Sequence, residues 1–372
     1  MSFLMSVGPT LLILGVLITI HELGHFIACR LTKVRVEKFS IGFGPEVLHW
    51  QGAETRYAVS LFPLGGYVKP AGESYSELPE GQEPQAGEYL AAPLGARIFI
   101  VCAGVIMNYF LAFVLFAAIF MIGRPVPGTT LGGFVEGYPA ASSGLLKGDR
   151  ILAVSGLPVL TWTDMTHAIE KAPPGPLDLE LERRNLAGGK DRLTLQLMPK
   201  EEDAQDLFGR SVRVRRLGVS PHPEAVFFEK YGAGEAIVRG AETTVSLTVM
   251  THKAIFYMIQ GKMSLKAVSG PVGIMSLAGD AAKMGPAYVL QLMATLSISL
   301  AVINLLPIPA LDGGHLFFLL IEAVRRKRVS LIFQERLTQA GFAALLVLMV
   351  FLIFNDLNNL DVFARLRSLL PF

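Results

Sequence analysis

Two histidines four positions apart, His21 and His25, lie inside the first long apolar stretch of this 372-residue chain, in the run His21-Glu22-Leu23-Gly24-His25. On a helix that spacing stacks both imidazoles on one face, where they can reach a single metal ion. The carboxylate between them can reach a water on that ion, so the run has the form of a zinc-dependent peptide hydrolase motif. A bare His-Glu-x-x-His run also occurs on ordinary water-exposed helices that hold no metal. Its setting argues against that reading here, because ionisable groups in hydrocarbon are costly and mark functional sites.

Composition points to the same setting. The chain is 52% hydrophobic and only 17% charged, with mean hydropathy +0.48, whereas soluble domains carry about 25% charged residues. Four stretches, at about 4–29, 98–122, 288–306 and 337–354, reach the roughly 20 apolar residues that a span needs. The first has no basic n-region and no small-residue cleavage site, so it is expected to be retained rather than removed as a signal peptide. Arg30, Lys33, Arg35 and Lys38 follow the first stretch, Arg97 precedes the second, and Arg325, Arg326, Lys327 and Arg328 follow the third. The positive-inside rule therefore assigns 30–97 and 320–336 to the cytoplasm, and both termini with the long 123–285 segment to the far side. A net charge of +2 gives no reason to expect nucleic acid. Cys29 and Cys102 lie in apolar surroundings and read as small core residues, not as a disulfide or a metal site.

Residues 36–70 alternate like strands, with a turn at Gly52-Ala53-Glu54-Thr55 and a glycine pair at Gly65-Gly66. They predict a β-hairpin joined to the metal helix. An open edge there would suit an extended peptide; the simpler alternative is a cytoplasmic loop with no substrate role. Residues 72–93, rich in Glu, Pro, Gly and Ser, read as a connector. The run from Gly133 through Pro139-Ala140-Ala141 to Gly148-Asp149-Arg150-Ile151 and Gly156 resembles a PDZ domain, with a helix expected over 162–171 and strands over 177–182 and 193–198. Residues 234–260 fit an amphipathic helix at a surface better than a further span. Ser269-Gly270-Pro271-Val272-Gly273 is expected to be a rigid turn.

The predicted architecture is thus a polytopic α-helical membrane protein with about four transmembrane helices, a membrane-associated β-hairpin and an inserted α+β PDZ domain. Its divisions are a first membrane half (1–122), the far-side PDZ module (123–200), a linker with the amphipathic helix (201–285) and a second membrane half (286–372).

A catalytic zinc keeps three protein ligands and an open position. The best third ligand is Asp312 in Pro307-Ile308-Pro309-Ala310-Leu311-Asp312-Gly313-Gly314, where two prolines break the helix. Freed backbone at membrane depth is tolerated where it lines a cavity. From residue 4 to His21 a helix rises roughly 25 Å, which brings the imidazoles to the cytoplasmic end where Asp312 also arrives. Asp312 could instead close a turn before the glycines. His315 reads as a neighbouring group or an interface residue. Asn304 and Asn108 are intramembrane amides suited either to a substrate backbone or to bridging helices.

Together, His21-Glu22-Leu23-Gly24-His25, Asn304-Leu305-Leu306-Pro307-Ile308-Pro309-Ala310-Leu311-Asp312-Gly313-Gly314-His315 and the inserted PDZ-like module resemble the site-2 protease family, in particular its RseP-like branch of bacterial regulators of sigma-E protease. Ser40-Ile41-Gly42-Phe43-Gly44, Pro63-Leu64-Gly65-Gly66-Tyr67-Val68-Lys69 and Phe354-Asn355-Asp356 resemble that group too. The resemblance implies an intramembrane metalloprotease with Zn2+ held by His21, His25 and Asp312, and Glu22 as general base. It implies substrate contacts at Asn304 and along the hairpin at Gly42, Phe43, Gly44, Gly65, Gly66 and Tyr67. It further implies a multi-pass protein of the bacterial inner membrane with its PDZ region in the periplasm. The partners implied are single-pass membrane proteins already cut by another protease, such as anti-sigma factors or signal-peptide remnants, and peptide C-termini at the PDZ module. Only one PDZ copy is legible, Val105 stands where the family usually has Pro, and Ser299 where RseP-like members have Asn. Two rival classes are a catalytically inactive PDZ-bearing membrane scaffold and a carrier, the latter lacking any inverted repeat of broken helices.

Overall fold

A computed structural model describes residues 2–73, 83–185, 188–205 and 211–360. Its contacts divide the chain into two units, one of residues 1–119, 233–258 and 264–372, the other of residues 120–232 with 259–263. Part of the connector expected over 72–93 falls outside the described residues.

In the first unit, α1 (Ser2–Leu31) carries the histidine motif. It is followed by β1 (Val36–Gln51), β2 (Arg56–Pro70) and α2 (Leu94–Ile122). Among the described residues four helices are long and apolar enough to cross a membrane: Ser6–Leu31, Leu94–Ile122, Pro286–Leu305 and Ile332–Asn359. The chain is therefore a multi-pass membrane protein, with mixed helix and sheet between its spans.

The two strands form more than a hairpin. Phe39 stands opposite Tyr57 on one side and Val68 on the other, so β1 runs between the two halves of β2. Residues 66–70 consequently lie at an edge of the sheet, while Glu46–Gln51 of β1 pairs back with Arg56–Ser60. Gly42 and Gly44, at φ +92° and +87°, let β1 bend where its pairing changes. The turn expected at 52–55 closes by a 2.8 Å bond from the Gly52 N–H to the Thr55 carbonyl.

The second unit contains β3 (Arg124–Pro127), β4 (Leu131–Phe134), β5 (Arg150–Val154), β6 (Leu157–Pro158), α3 (Trp162–Lys171), β7 (Leu177–Arg184) and β8 (Lys190–Leu197). It continues through β9 (Lys200–Gln205), β10 (Ser211–Arg216), β11 (Val219–Pro221) and β12 (Val226–Glu229). A sheet of order β6-β5-β7-β8 packs with α3 around Leu131, Ile151, Val154, Met165, Leu177, Leu179 and Leu181. β7 buries alternate residues, as a half-buried strand must. Thr161 caps α3 in a reciprocal box with Asp164, which explains its start at Trp162. The segment expected as a linker from residue 201 is instead part of this unit: β11 pairs with β4, and β12 with β3. Two Arg124 nitrogens, Nη2 and Nε, donate to the one Glu229 Oε2 at 2.6 and 3.0 Å and tie the two ends of the unit together.

The first unit resumes with α4 (Ala233–Ile259), α5 (Pro271–Met284), α6 (Pro286–Leu305), α7 (Asp312–Arg325) and α8 (Leu331–Asn359). α4 buries Ala236, Gly240 and Thr244, and a Cβ on Gly240 would stand 2.8 Å from the Ala117 backbone of α2. The rigid turn expected at 269–273 is the beginning of α5. Pro271 needs no N–H at the first turn of a helix, and the buried Asp356 accepts the Gly270 and Gly273 N–H groups at 3.0 and 2.8 Å.

Candidate metal centre

α1 presents His21 and His25 one turn apart, with ring centroids 4.8 Å apart and planes nearly perpendicular. Their Nε2 atoms are 3.2 Å from each other. Asp312 reaches them from the far end of the sequence, its Oδ2 lying 3.0 Å from His21 Nε2 and 3.5 Å from His25 Nε2. Among the described residues these three form the group of potential ligands whose donor atoms all lie within 4.8 Å of one another.

The break after α6 delivers that carboxylate. Pro307 and Pro309 cannot continue a helix, so the chain leaves α6 after Leu305 and re-enters helix at Asp312. The intervening segment folds so tightly over α7 that a Cβ on Gly313 would lie 2.1 Å from the Leu306 carbonyl oxygen, and one on Gly314 2.5 Å from that of Ile308. Glycine is thus required at both positions. Ala310, between the second proline and Asp312, sits at φ +97°, a strained value for a residue with a side chain.

α2 supports the histidines from behind. His25 Nδ1 lies 2.8 Å from the Ile100 carbonyl, and His21 Nδ1 lies 3.2 Å from the Asn108 amide. Between them, a Cβ on Gly104 would stand 2.4 Å from His25 Nε2, and one on Gly24 2.4 Å from the Ala103 carbonyl oxygen. The two glycines let the helices approach until the rings touch α2. Asn304 of α6 places its amide 3.5 Å from His21 Nε2.

Glu22 is held by the sheet. Its Oε2 accepts the Val68 N–H at 3.0 Å, and Gly66 lets the strand come so near that its Cβ would be 3.4 Å from Glu22 Cγ. A cavity of about 590 Å³ opens on Glu22, His25, Tyr67, Val68, Asp312 and His315.

The sequence-predicted residues thus fall into two groups. His21, Glu22, His25, Asp312, Asn304, Gly66 and Tyr67 come together. Gly42, Phe43, Gly44 and Gly65 shape the sheet beside them: Phe43 stacks on Tyr67 with centroids 6.1 Å apart and fills the space a Gly65 side chain would need. Three contributors escaped the sequence, namely the Val68 N–H, the Ile100 carbonyl and Gly104. The first two are main-chain groups with no residue-type signal, whereas Gly104, four positions before an intramembrane asparagine, was detectable.

The donor set fits zinc. Two imidazole nitrogens and a carboxylate oxygen, with room for a fourth ligand, match a catalytic zinc site. Asp312 Oδ2 is buried and takes no hydrogen bond despite its nearness to both rings, so its lone pairs point at two nitrogens without a proton placed between. A cation at their common focus resolves that repulsion.

Water-soluble zinc peptidases reach their substrates from an aqueous cleft. Here apolar helices carry the centre, which narrows the class to zinc metalloproteases of membranes. The chain belongs to peptidase family M50, whose model matches residues 9–348. It is 32% identical to Metalloprotease MmpA of Caulobacter vibrioides, covering 99% of each chain. A Rhizobium meliloti protein provisionally named a zinc metalloprotease is 35% identical over 94% of this chain and 96% of its own. A Fusobacterium nucleatum protein with the same provisional description is 35% identical over 97% and 99%. The chain is a zinc-dependent metalloprotease.

Proposed function

We propose that this protease cuts peptide bonds within the bilayer, in single-pass membrane proteins that another protease has already shortened. His21, His25 and Asp312 hold the zinc and Glu22 is the general base. The observation that carries the reading is the convergence of the three ligand atoms beside a glutamate whose other contact is a strand edge.

When bound, zinc supplies the Lewis acidity that peptide hydrolysis needs. Glu22, fixed by the Val68 N–H, takes a proton from the attacking water and returns it to the leaving amine. The Asn304 amide, beside His21, is positioned to donate to the carbonyl oxygen as charge develops there. A helical substrate hides its carbonyls in its own hydrogen bonds and must unwind first. The edge at 66–70 offers main-chain groups in exchange, by strand addition along Gly66 and Tyr67.

The charge pattern of the loops supports an active site towards the cytoplasm and the 120–232 unit in the periplasm of an inner membrane. That unit is read as a PDZ domain. Its cavity of about 390 Å³, between α3 residues such as Trp162, Met165 and Ile169 and the chain from Val214 to Val219, is of a size for a peptide C-terminus. The resemblance to the site-2 protease family adds anti-sigma factors and signal-peptide remnants as the substrate classes we propose.

The test uses purified full-length protein and a single-pass membrane substrate. Cleavage should be stopped by a chelator, restored by zinc and lost in Glu22→Gln, with zinc still bound. In Asp312→Asn both cleavage and zinc should be lost. Wild-type cleavage by Glu22→Gln, or full zinc content in Asp312→Asn, would overturn the assignments.

A further inference from the structure

Asn108 is fully buried in the middle of α2, and its Oδ1 atom has no hydrogen-bond partner. Its Nδ2 lies 3.2 Å from His21 Nδ1. Both Nε2 atoms of the histidine pair face Asp312, so His21 ligates through Nε2 on the reading proposed above. A neutral imidazole that ligates through Nε2 carries its proton on Nδ1. Two donors would then face each other across 3.2 Å. The two ends of a side-chain amide have the same shape, and a half-turn exchanges them. That half-turn brings the unpartnered Oδ1 to the Nδ1–H and makes the contact a donor–acceptor pair.

The placement is built rather than incidental. Ile100, Gly104 and Asn108 follow at intervals of four and share one face of α2. The Ile100 carbonyl serves His25 Nδ1, Gly104 admits both rings, and Asn108 serves His21. The backbone at Asn108 is itself fixed from outside, since Ser297 of α6, also fully buried, donates its hydroxyl to the Asn108 main-chain carbonyl at 2.8 Å. α6 is the helix that leads into the Pro307–Asp312 break, so the same contact ties the position of Asn108 to the element bearing the third ligand.

The geometry points to Asn108 as a positioning residue for the metal: its amide oxygen accepts from His21 Nδ1–H, selecting the tautomer and the ring orientation in which Nε2 ligates zinc. The inference rests on His21 being a ligand. Partners of this kind typically change metal affinity by about 10–100-fold.

The test measures the zinc affinity of the purified full-length protein by competition with a chromophoric chelator. Helix content and the melting curve of the zinc-free protein report folding. Asn108→Leu, of similar volume but without an acceptor, should fold and bind zinc about 10–100-fold more weakly. Asn108→Asp, which keeps an acceptor at the same place, should bind within a few-fold of the wild type. With cobalt in place of zinc, the visible spectrum should shift in Asn108→Leu and be kept in Asn108→Asp. Folded Asn108→Leu protein with wild-type affinity, or equal losses in both variants, would overturn the inference. If Asn108→Leu does not fold, Asn108→Asp decides: retained affinity supports the acceptor role, and a loss beyond tenfold refutes it. A His21→Ala control separates the two readings, since unchanged zinc affinity there refutes the ligand assignment itself.

Discussion

Arg97 of α2 and Glu322 of α7 meet in a two-pronged contact, at 2.5 and 3.1 Å, with the arginine only 4% exposed. Arg328 adds a longer contact to the same carboxylate at 3.7 Å. Because α7 begins with Asp312, this pair fixes the helix that carries the third ligand against the helix that supports the other two. Removing one partner of a buried pair costs about 3–5 kcal/mol where the other charge is left uncompensated, and replacing both with apolar groups costs far less. In Arg97→Leu the Arg328 contact to Glu322 remains, so the loss falls short of that range. Arg97→Leu should therefore lower the melting temperature clearly. The double variant Arg97→Leu with Glu322→Leu should recover most of it, and thermal melts of the two proteins side by side check this.

Gly104 and Gly24 predict different failures. A methyl at 104 meets the ends of two side chains, His25 Nε2 at 2.4 Å and His21 Cε1 at 2.7 Å, so the rings must turn while the helices remain. A methyl at 24 meets the Ala103 backbone and pushes the helices apart. Gly104→Ala is expected to lose zinc affinity with little change in melting of the metal-free protein, and Gly24→Ala to lose stability first. Metal analysis paired with thermal melts distinguishes them.

Ala310 holds a left-handed backbone at φ +97°. Such strain costs of order 1–3 kcal/mol in a residue with a side chain, and glycine relieves it at the expense of unfolded-state freedom. Ala310→Gly should raise stability by about 1 kcal/mol, with zinc stoichiometry unchanged. A fall in melting temperature would show that the alanine methyl packs usefully there.

Glu46 couples the sheet to pH. Hydrogen bonds from Arg56 and then Lys38 pull its carboxyl down to about 2 from an ordinary 4.5. The folded value is the lower one, so the contribution is complete above about 4.5 and drains away as pH falls towards 2. Amide exchange over residues 56–60 should accelerate between pH 5 and roughly 3 in the wild type, on the linkage relation. In Glu46→Gln the same amides should exchange with no such added dependence.

The legibility of this chain follows from which groups its site uses. Metal ligands are drawn from few side chains, so His21, His25 and Asp312 announced themselves, and the prolines at 307 and 309 gave the break that brings Asp312 in. The strand that holds Glu22 was visible as alternation, but not the pairing of β1 with both halves of β2, because register resides in bends at Gly42 and Gly44. Gly270-Pro271 read as a turn because proline usually ends a helix; at the first helical position it begins one. Residues from 201 onward read as a linker because β9, Lys-Glu-Glu-Asp-Ala-Gln, buries no alternating apolar face. Its strand character comes from pairing with β10 through Glu201, Glu202, Arg215 and Arg216.

The bond from Val68 to Glu22 is made by the peptide group alone. Any amino acid with a free amide hydrogen would keep that bond, so the side chain at 68 answers only to the apolar cluster it packs against, around Ala28, Val36 and Ile100, and to the cavity it borders. Proline is the one residue barred, and inserting it would release the glutamate while sparing the three side chains proposed to hold the metal.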